Sequence, residues 1–174
     1  LGRFGENQKG VELCKAIVKE VSKYSGRFNC LINGDLAISN LLEDGTVIDY
    51  EKACIGNPVI DAATTLEDPK NGKIGRKDLF KDFYLEGVGG EEREVLEEIY
   101  TPHSVFISAC QTGSKFDQAQ KKRKNEEFEK AEKDMERSRG FIKQVIEKGS
   151  VEVKDRFVDY LRSSDRAKEL TSVL

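Results

Sequence analysis

The sequence predicts an α+β fold that is predominantly helical and forms a single domain over residues 1–174. Three observations predict it. Apolar residues recur at steps of three and four through much of the chain, which is the pattern of helices with one buried face. One Asp-Gly dipeptide between two apolar stretches marks a small β-hairpin near residues 31–49. The 174 residues, 37% hydrophobic and 35% charged, suffice for one buried core beneath a highly charged surface.

Lys9 to Tyr24 reads as the first helix, with Val11, Cys14, Val18 and Val21 at helical spacing and Gly26 as its stop. The strand-like segment follows. Asn57-Pro58 then makes a turn into a short apolar helix, and "EDPKNGKIGRK" is a polar loop. Lys77 to Val88 reads as a helix ending at Gly89-Gly90. Helix continues over Glu91 to Tyr100, with Val95, Leu96 and Ile99 on one face. Pro102 breaks or kinks it, and Ser104 to Gln111 resumes.

From Lys115 to Lys148 the residues Phe128, Ala131, Met135, Ser138, Ile142 and Val145 predict one long amphipathic helix stopped by Gly149. Val151 to Leu174 adds one or two shorter helices on Phe157, Val158, Leu161 and Leu170.

The net charge of −3 offers no basic excess for nucleic acid and no acidic excess for disorder. No apolar run approaches the roughly 20 residues that cross a bilayer. Cys14, Cys30, Cys54 and Cys110 are scattered without a Cys-x-x-Cys pair, so free thiols and a cytoplasmic location are expected. His103, the one histidine, follows Pro102 and reads as structural or exposed. The run "EEREVLEEIY" reads as a solvated helix face.

Chemistry concentrates in "NGDLAISNLLEDGTVIDYEKA", Asn33 to Ala53. With Asp44 and Gly45 as a two-residue type I′ turn, Leu42 faces Val47 and Asn40 faces Asp49. Directly opposed side chains start about 4.5–5.5 Å apart, so an amide oxygen and a carboxylate meet at the open end. Both are hard oxygen donors that suit Mg²⁺. Asp35 lies in the loop entering the first strand. Gly34 before it permits an unusual backbone there. A carboxylate beside such a site accepts the proton of an attacking hydroxyl or orients it.

"NGDLAISN" and "VIDYEKACIGNPVIDAA" resemble the catalytic segments of the aminoglycoside phosphotransferase and choline kinase superfamily, closely over Ile32 to Ala63. Its members read His-Gly-Asp-x-x-x-x-Asn, then Ile-Asp-Trp-Glu, then Gly-Asp-Pro-x-x-Asp-Leu-Ala. The resemblance implies a kinase-like C-terminal lobe, with ATP and Mg²⁺ as cofactors and a small-molecule hydroxyl as acceptor. It implies Asp35 as catalytic base and Asn40 and Asp49 as metal and nucleotide ligands. Asp61 is implied as a buried support of the catalytic-loop backbone. Asn33, Tyr50 and Asn57 depart from the family's His, Trp and Asp, and Glu51 keeps the Glu without an assigned role.

The family's β-rich N-terminal lobe has no counterpart before Asn33, where only a helix and a linker stand. "GKIGRK" lacks the phosphate-loop spacing and "GVGGEE" lacks a cation, so both read as loops. The first residue is Leu rather than Met. The expectation is a lobe that belongs to a longer kinase or stands alone as a remnant. The function expected is ATP- and Mg²⁺-dependent phosphotransfer to a small hydroxyl acceptor: aminoglycoside, choline, sugar or amine alcohol. The alternative is a non-catalytic kinase-like helical domain with an interaction role.

Overall fold

A computed structural model describes residues 8–23, 29–40, 42–44, 46–68, 86 and 88–163. Among them are five α-helices and one two-stranded antiparallel sheet, so the fold is α+β and predominantly helical. The helices are α1 (Gln8–Ser22), α2 (Val59–Leu66), α3 (Gly90–Lys124), α4 (Phe128–Lys148) and α5 (Val151–Ser163). The strands are β1 (Cys30–Ile32) and β2 (Cys54–Gly56). The helix expected over Lys77 to Val88 falls mostly outside the described residues, as does the chain after residue 163.

Four helices share the main core. Leu13 and Ile17 of α1 pack with Val105 and Phe116 of α3, Met135 and Ile142 of α4, and Phe157 and Leu161 of α5. Side-chain pairs fix the directions. Ser108 Oγ donates to Gln144 Oε1 at 2.9 Å, and Lys122 Nζ meets Asp134 Oδ2 at 2.6 Å, so α3 and α4 run antiparallel. Lys19 with Glu152 and Arg156 with Glu12 align α1 antiparallel to α5. No helix among the described residues is long and apolar enough to cross a membrane.

Two helix boundaries differ from expectation. Pro102 does not end a helix: α3 runs through it. An interior proline costs about 3 kcal/mol. Here Leu96 and Ile99 before it are buried against Val59 of α2, and Val105, Ala109 and Phe116 after it are buried in the main core. Burying a large apolar side chain returns roughly 1.5–3 kcal/mol, so packing wins.

The single helix expected over Lys115 to Lys148 is instead two helices, α3 and α4, with residues 125–127 between them. Glu126 adopts φ 61°. Glu127 N–H donates to Lys122 O at 2.9 Å and Glu126 N–H to Arg123 O at 3.1 Å. That pair of bonds is a Schellman cap with glutamate where glycine is usual. Phe128, expected on the buried face, is left exposed, while Ala131, Met135, Ser138, Ile142 and Val145 are buried as their spacing requires.

The sheet pairs Cys30 with Gly56, Leu31 with Ile55 and Ile32 with Cys54. Ile32 points inward, and a Cβ on Gly56 would lie 2.7 Å from its Cδ1. Leu31 and Ile55 remain 70% and 71% exposed on the outer face. The smaller apolar cluster, Val59, Leu96 and Ile99, seats α2 on α3.

His103 is buried in α3, and its Nδ1 bonds Ile99 O at 2.8 Å. Burial lowers its pKa against the smaller opposing pull of that carbonyl.

Two outcomes follow. Glu126→Gly relieves a left-handed backbone that costs a side-chain-bearing residue about 1–2 kcal/mol. Urea titration should show net stabilisation by about 1 kcal/mol, after the extra freedom of the unfolded glycine is subtracted. For His103 the folded pKa lies below the unfolded value of about 6.5, so the unfolded chain takes up the proton first. Stability should therefore fall as pH drops through that value, and His103→Gln should flatten that slope in a pH series of urea melts.

Candidate functional site

The candidate site is built on the loop that leaves β1. Asp61, in the first turn of α2, is buried, and its carboxylate accepts the N–H of Asn33 at 2.7 Å and of Gly34 at 2.9 Å. One turn along α2, Thr65 Oγ1 donates to Leu36 O. The start of α2 is set by Asn57, whose Oδ1 accepts Val59 N–H at 3.0 Å, the turn role a side-chain carbonyl fills as well as a carboxylate.

Gly34 sits at φ +80°, and a Cβ there would run into the backbone carbonyl of Lys52. Both features demand glycine.

Asn33 then joins the two acidic segments. Its Nδ2 donates to Asp49 O at 3.0 Å, and its Oδ1 accepts Asp35 N–H at 3.2 Å. Asn40, closing the 3₁₀ turn Ile38–Asn40, donates from Nδ2 to Asp35 O at 3.3 Å. Asp35 is thus held from both sides through its backbone, and its carboxylate meets the Lys52 ammonium through Oδ2.

The hairpin register corrects the sequence reading. Ile48 N–H donates to Asn40 O at 2.8 Å and Leu42 N–H to Thr46 O at 2.9 Å. These bonds set Asn40 opposite Ile48, not Asp49, and Leu42 opposite Thr46. Asp44 Oδ1 accepts Thr46 N–H at 2.9 Å, a side-chain turn in place of the two-residue reversal. The regular strands lie outside this segment, at β1 and β2, so the hairpin itself does not supply the sheet.

In a regular strand a one-residue slip would send Asp49 to the face opposite Asn40. Asp49 is not in a regular strand conformation: its backbone is left-handed, at φ 63°. Aspartate tolerates this region better than most residues, yet it remains a strained conformation of the kind that gathers at functional sites. Asn33 holds the carbonyl of this residue.

Among the described residues no cluster of three or more His, Cys, Asp or Glu could hold a metal by itself. The loop's amide and carboxylate oxygens are of the type that hard divalent ions take. The Asp49 carboxylate is exposed and makes no hydrogen bond among the described residues. Asn40 commits its amide nitrogen to Asp35 O, so its Oδ1, touched by Ser39 Oγ at 3.4 Å, faces away from that bond. Asp35, first through its hydrogen bond, and then Glu51 and Asp49 raise the pKa of the Lys52 ammonium against the opposing effect of burial.

Two residues gained importance only from the structure. Asn33 looked like a mere departure from histidine, and Lys52, though within "VIDYEKACIGNPVIDAA", was given no role. Neither carries a spacing signal, because both act through contacts between segments 16 to 17 residues apart. His103 lies in the helical core among Ile99 and its neighbours and takes no part in the site.

Compared with known proteins, the chain matches no family model, no curated protein and no solved structure.

The Asp61 grip has a measurable consequence. Asp61→Ala leaves two backbone donors without their charged acceptor, one of them on buried Asn33. The expected loss is about 3 kcal/mol in urea unfolding, with hydrogen exchange at Asn33 and Gly34 accelerating ahead of exchange in α4.

Proposed function

We propose that the chain is the catalytic lobe of a kinase-like phosphotransferase that moves a phosphoryl group from ATP, with Mg²⁺, to a hydroxyl of a small molecule. One observation carries the reading: the Asn33 side chain bonds Asp49 O and Asp35 N–H together. A polar bridge between two acid-bearing segments, one of them strained at Asp49, is costly decoration for a plain surface loop. It is the support that a two-acid phosphoryl-transfer site requires. The resemblance of "NGDLAISN" and "VIDYEKACIGNPVIDAA" to the aminoglycoside phosphotransferase and choline kinase superfamily supports the same reading.

In this reading Asp35 orients the acceptor hydroxyl and accepts its proton. Asn40 and Asp49 hold the divalent ion, which supplies charge neutralisation for the nucleotide phosphates. Asn33 replaces the family's histidine as the residue that positions both segments. Asp61 fixes the loop from below.

A second reading has an observation of its own. Leu31 and Ile55 form an exposed cross-strand apolar pair, and Leu42, Ile48 and Tyr50 are exposed as well. Such a surface favours a non-catalytic domain that binds another polypeptide.

Calorimetry with ATP and Mg²⁺ separates the two, since a non-catalytic domain shows no saturable binding. In the enzyme, Asp35→Ala should lower turnover by roughly 100- to 10,000-fold while ATP affinity stays close to wild type. Near-normal turnover in that variant would remove Asp35 from its role.

A further inference from the structure

We propose that Lys52 is the phosphoryl-binding cation of this site. The inference rests on the phosphotransfer reading above and adds to it a residue to which the resemblance assigned no role.

The chemistry calls for a cation at this place. As the acceptor oxygen bonds to phosphorus, the bond from phosphorus to the departing nucleoside diphosphate breaks, and the hydroxyl proton passes to Asp35. Negative charge spreads over the non-bridging oxygens of the group in transit. Positive groups fixed beforehand at that position are the main means of stabilising such a transition state.

Among the described residues, Lys52 is the one cation that pairs with an acid of the site. Its ammonium rests on Asp35 Oδ2, beside the carboxylate assigned to the acceptor hydroxyl.

Its position does not depend on that ion pair. The Lys52 carbonyl packs against Gly34 so closely that no side chain fits there, and Ala53 N–H closes a turn onto Tyr50 O at 3.0 Å. The backbone is therefore held against the loop whatever the ammonium does. The side chain is 56% exposed, which leaves the ammonium room to swing from Asp35 to an arriving phosphate. Asp35, Glu51 and Asp49 all favour its charged form, Asp35 most strongly through the hydrogen bond. A lysine so placed exchanges one anionic partner for another at little desolvation cost.

The competing role is a plain shield, in which Lys52 occupies Asp35 and must leave before catalysis. The two roles predict opposite signs. The test measures ATP binding with Mg²⁺ by calorimetry, and transfer of labelled γ-phosphate to a panel of small hydroxyl acceptors, in wild type, Lys52→Met, Lys52→Arg and Asp49→Ala. A phosphoryl-binding lysine gives a loss on the order of 100-fold in transfer for Lys52→Met. It also gives weaker ATP binding, with both largely restored in Lys52→Arg.

Faster transfer in Lys52→Met identifies a shield and overturns the proposal. Unchanged binding and transfer in Lys52→Met, alongside loss of both in Asp49→Ala, also overturns it and leaves the phosphotransfer reading intact. Absence of binding and transfer in wild type overturns that reading and this inference together.

Discussion

The candidate site depends on one buried carboxylate. Asp61 receives the amide protons of Asn33 and Gly34, and through them it decides where the loop after β1 lies. A buried charge is tolerable only when its oxygens are satisfied by donors that cannot leave. Two consecutive backbone amides meet that condition, and the position of Asp61 in the first turn of α2 adds the favourable end of the helix dipole. The same helix supplies Thr65 to Leu36 O. The loop carrying Asp35 is thus pinned at both ends by a single eight-residue helix.

Two left-handed backbones lie within reach of this anchor, unstrained at Gly34 and strained at Asp49. Gly34 and Asp49 both adopt left-handed conformations, and Asn33 lies between them in the hydrogen-bond network. Strain of this kind survives only where the surroundings over-determine it. Here the determinants are Asp61 on one side of Asn33 and the backbone carbonyl of Lys52 packed on Gly34. The result is that Asp35, Asn40 and Asp49 are each positioned through the main chain. Asp35 spends one oxygen on Lys52, and Asp49 spends none on the described residues.

What the sequence made legible follows from the range of the interactions. Helices with a strict apolar spacing, such as α4 with Met135, Ile142 and Val145, declare themselves because the signal lies within a few neighbouring residues. The turn at Asn57-Pro58 is readable for the same reason. The left-handed cap at Glu126 was not readable, because its usual marker is glycine and the chain places glutamate there. Pro102 reads locally as a break or a kink, and only the folded α3, continuous through it and buried on both sides, excludes the break. The hairpin register failed by one residue, since Asp44 can serve either in a two-residue turn or as a side-chain acceptor, and dipeptide identity does not decide between them. The acidic residues of the site were visible from their order. Lys52 and the bridging role of Asn33 were not, because each exists only where two distant segments touch.

The anchor itself needs anchoring. A helix of eight residues is far below the length at which helices persist alone in water, so α2 must borrow its stability from the bundle. Val59 packs against Leu96 and Ile99 of α3. At its other end, buried Glu67 accepts Tyr100 Oη at 2.6 Å and Lys148 Nζ at 2.6 Å, which ties α2 to α3 and α4 together. Burial and the neighbouring Glu67 carboxylate both push the Tyr100 phenol pKa upward, so that hydroxyl stays a donor at any ordinary pH. One residue further, Asp68 receives Arg137 of α4 through two nitrogens. Paired carboxylate contacts of this geometry fix direction as well as distance. The path from core to chemistry is therefore continuous: α4 and α3 hold Glu67 and Asp68, these hold α2, α2 holds the loop through Asp61, and the loop holds Asp35.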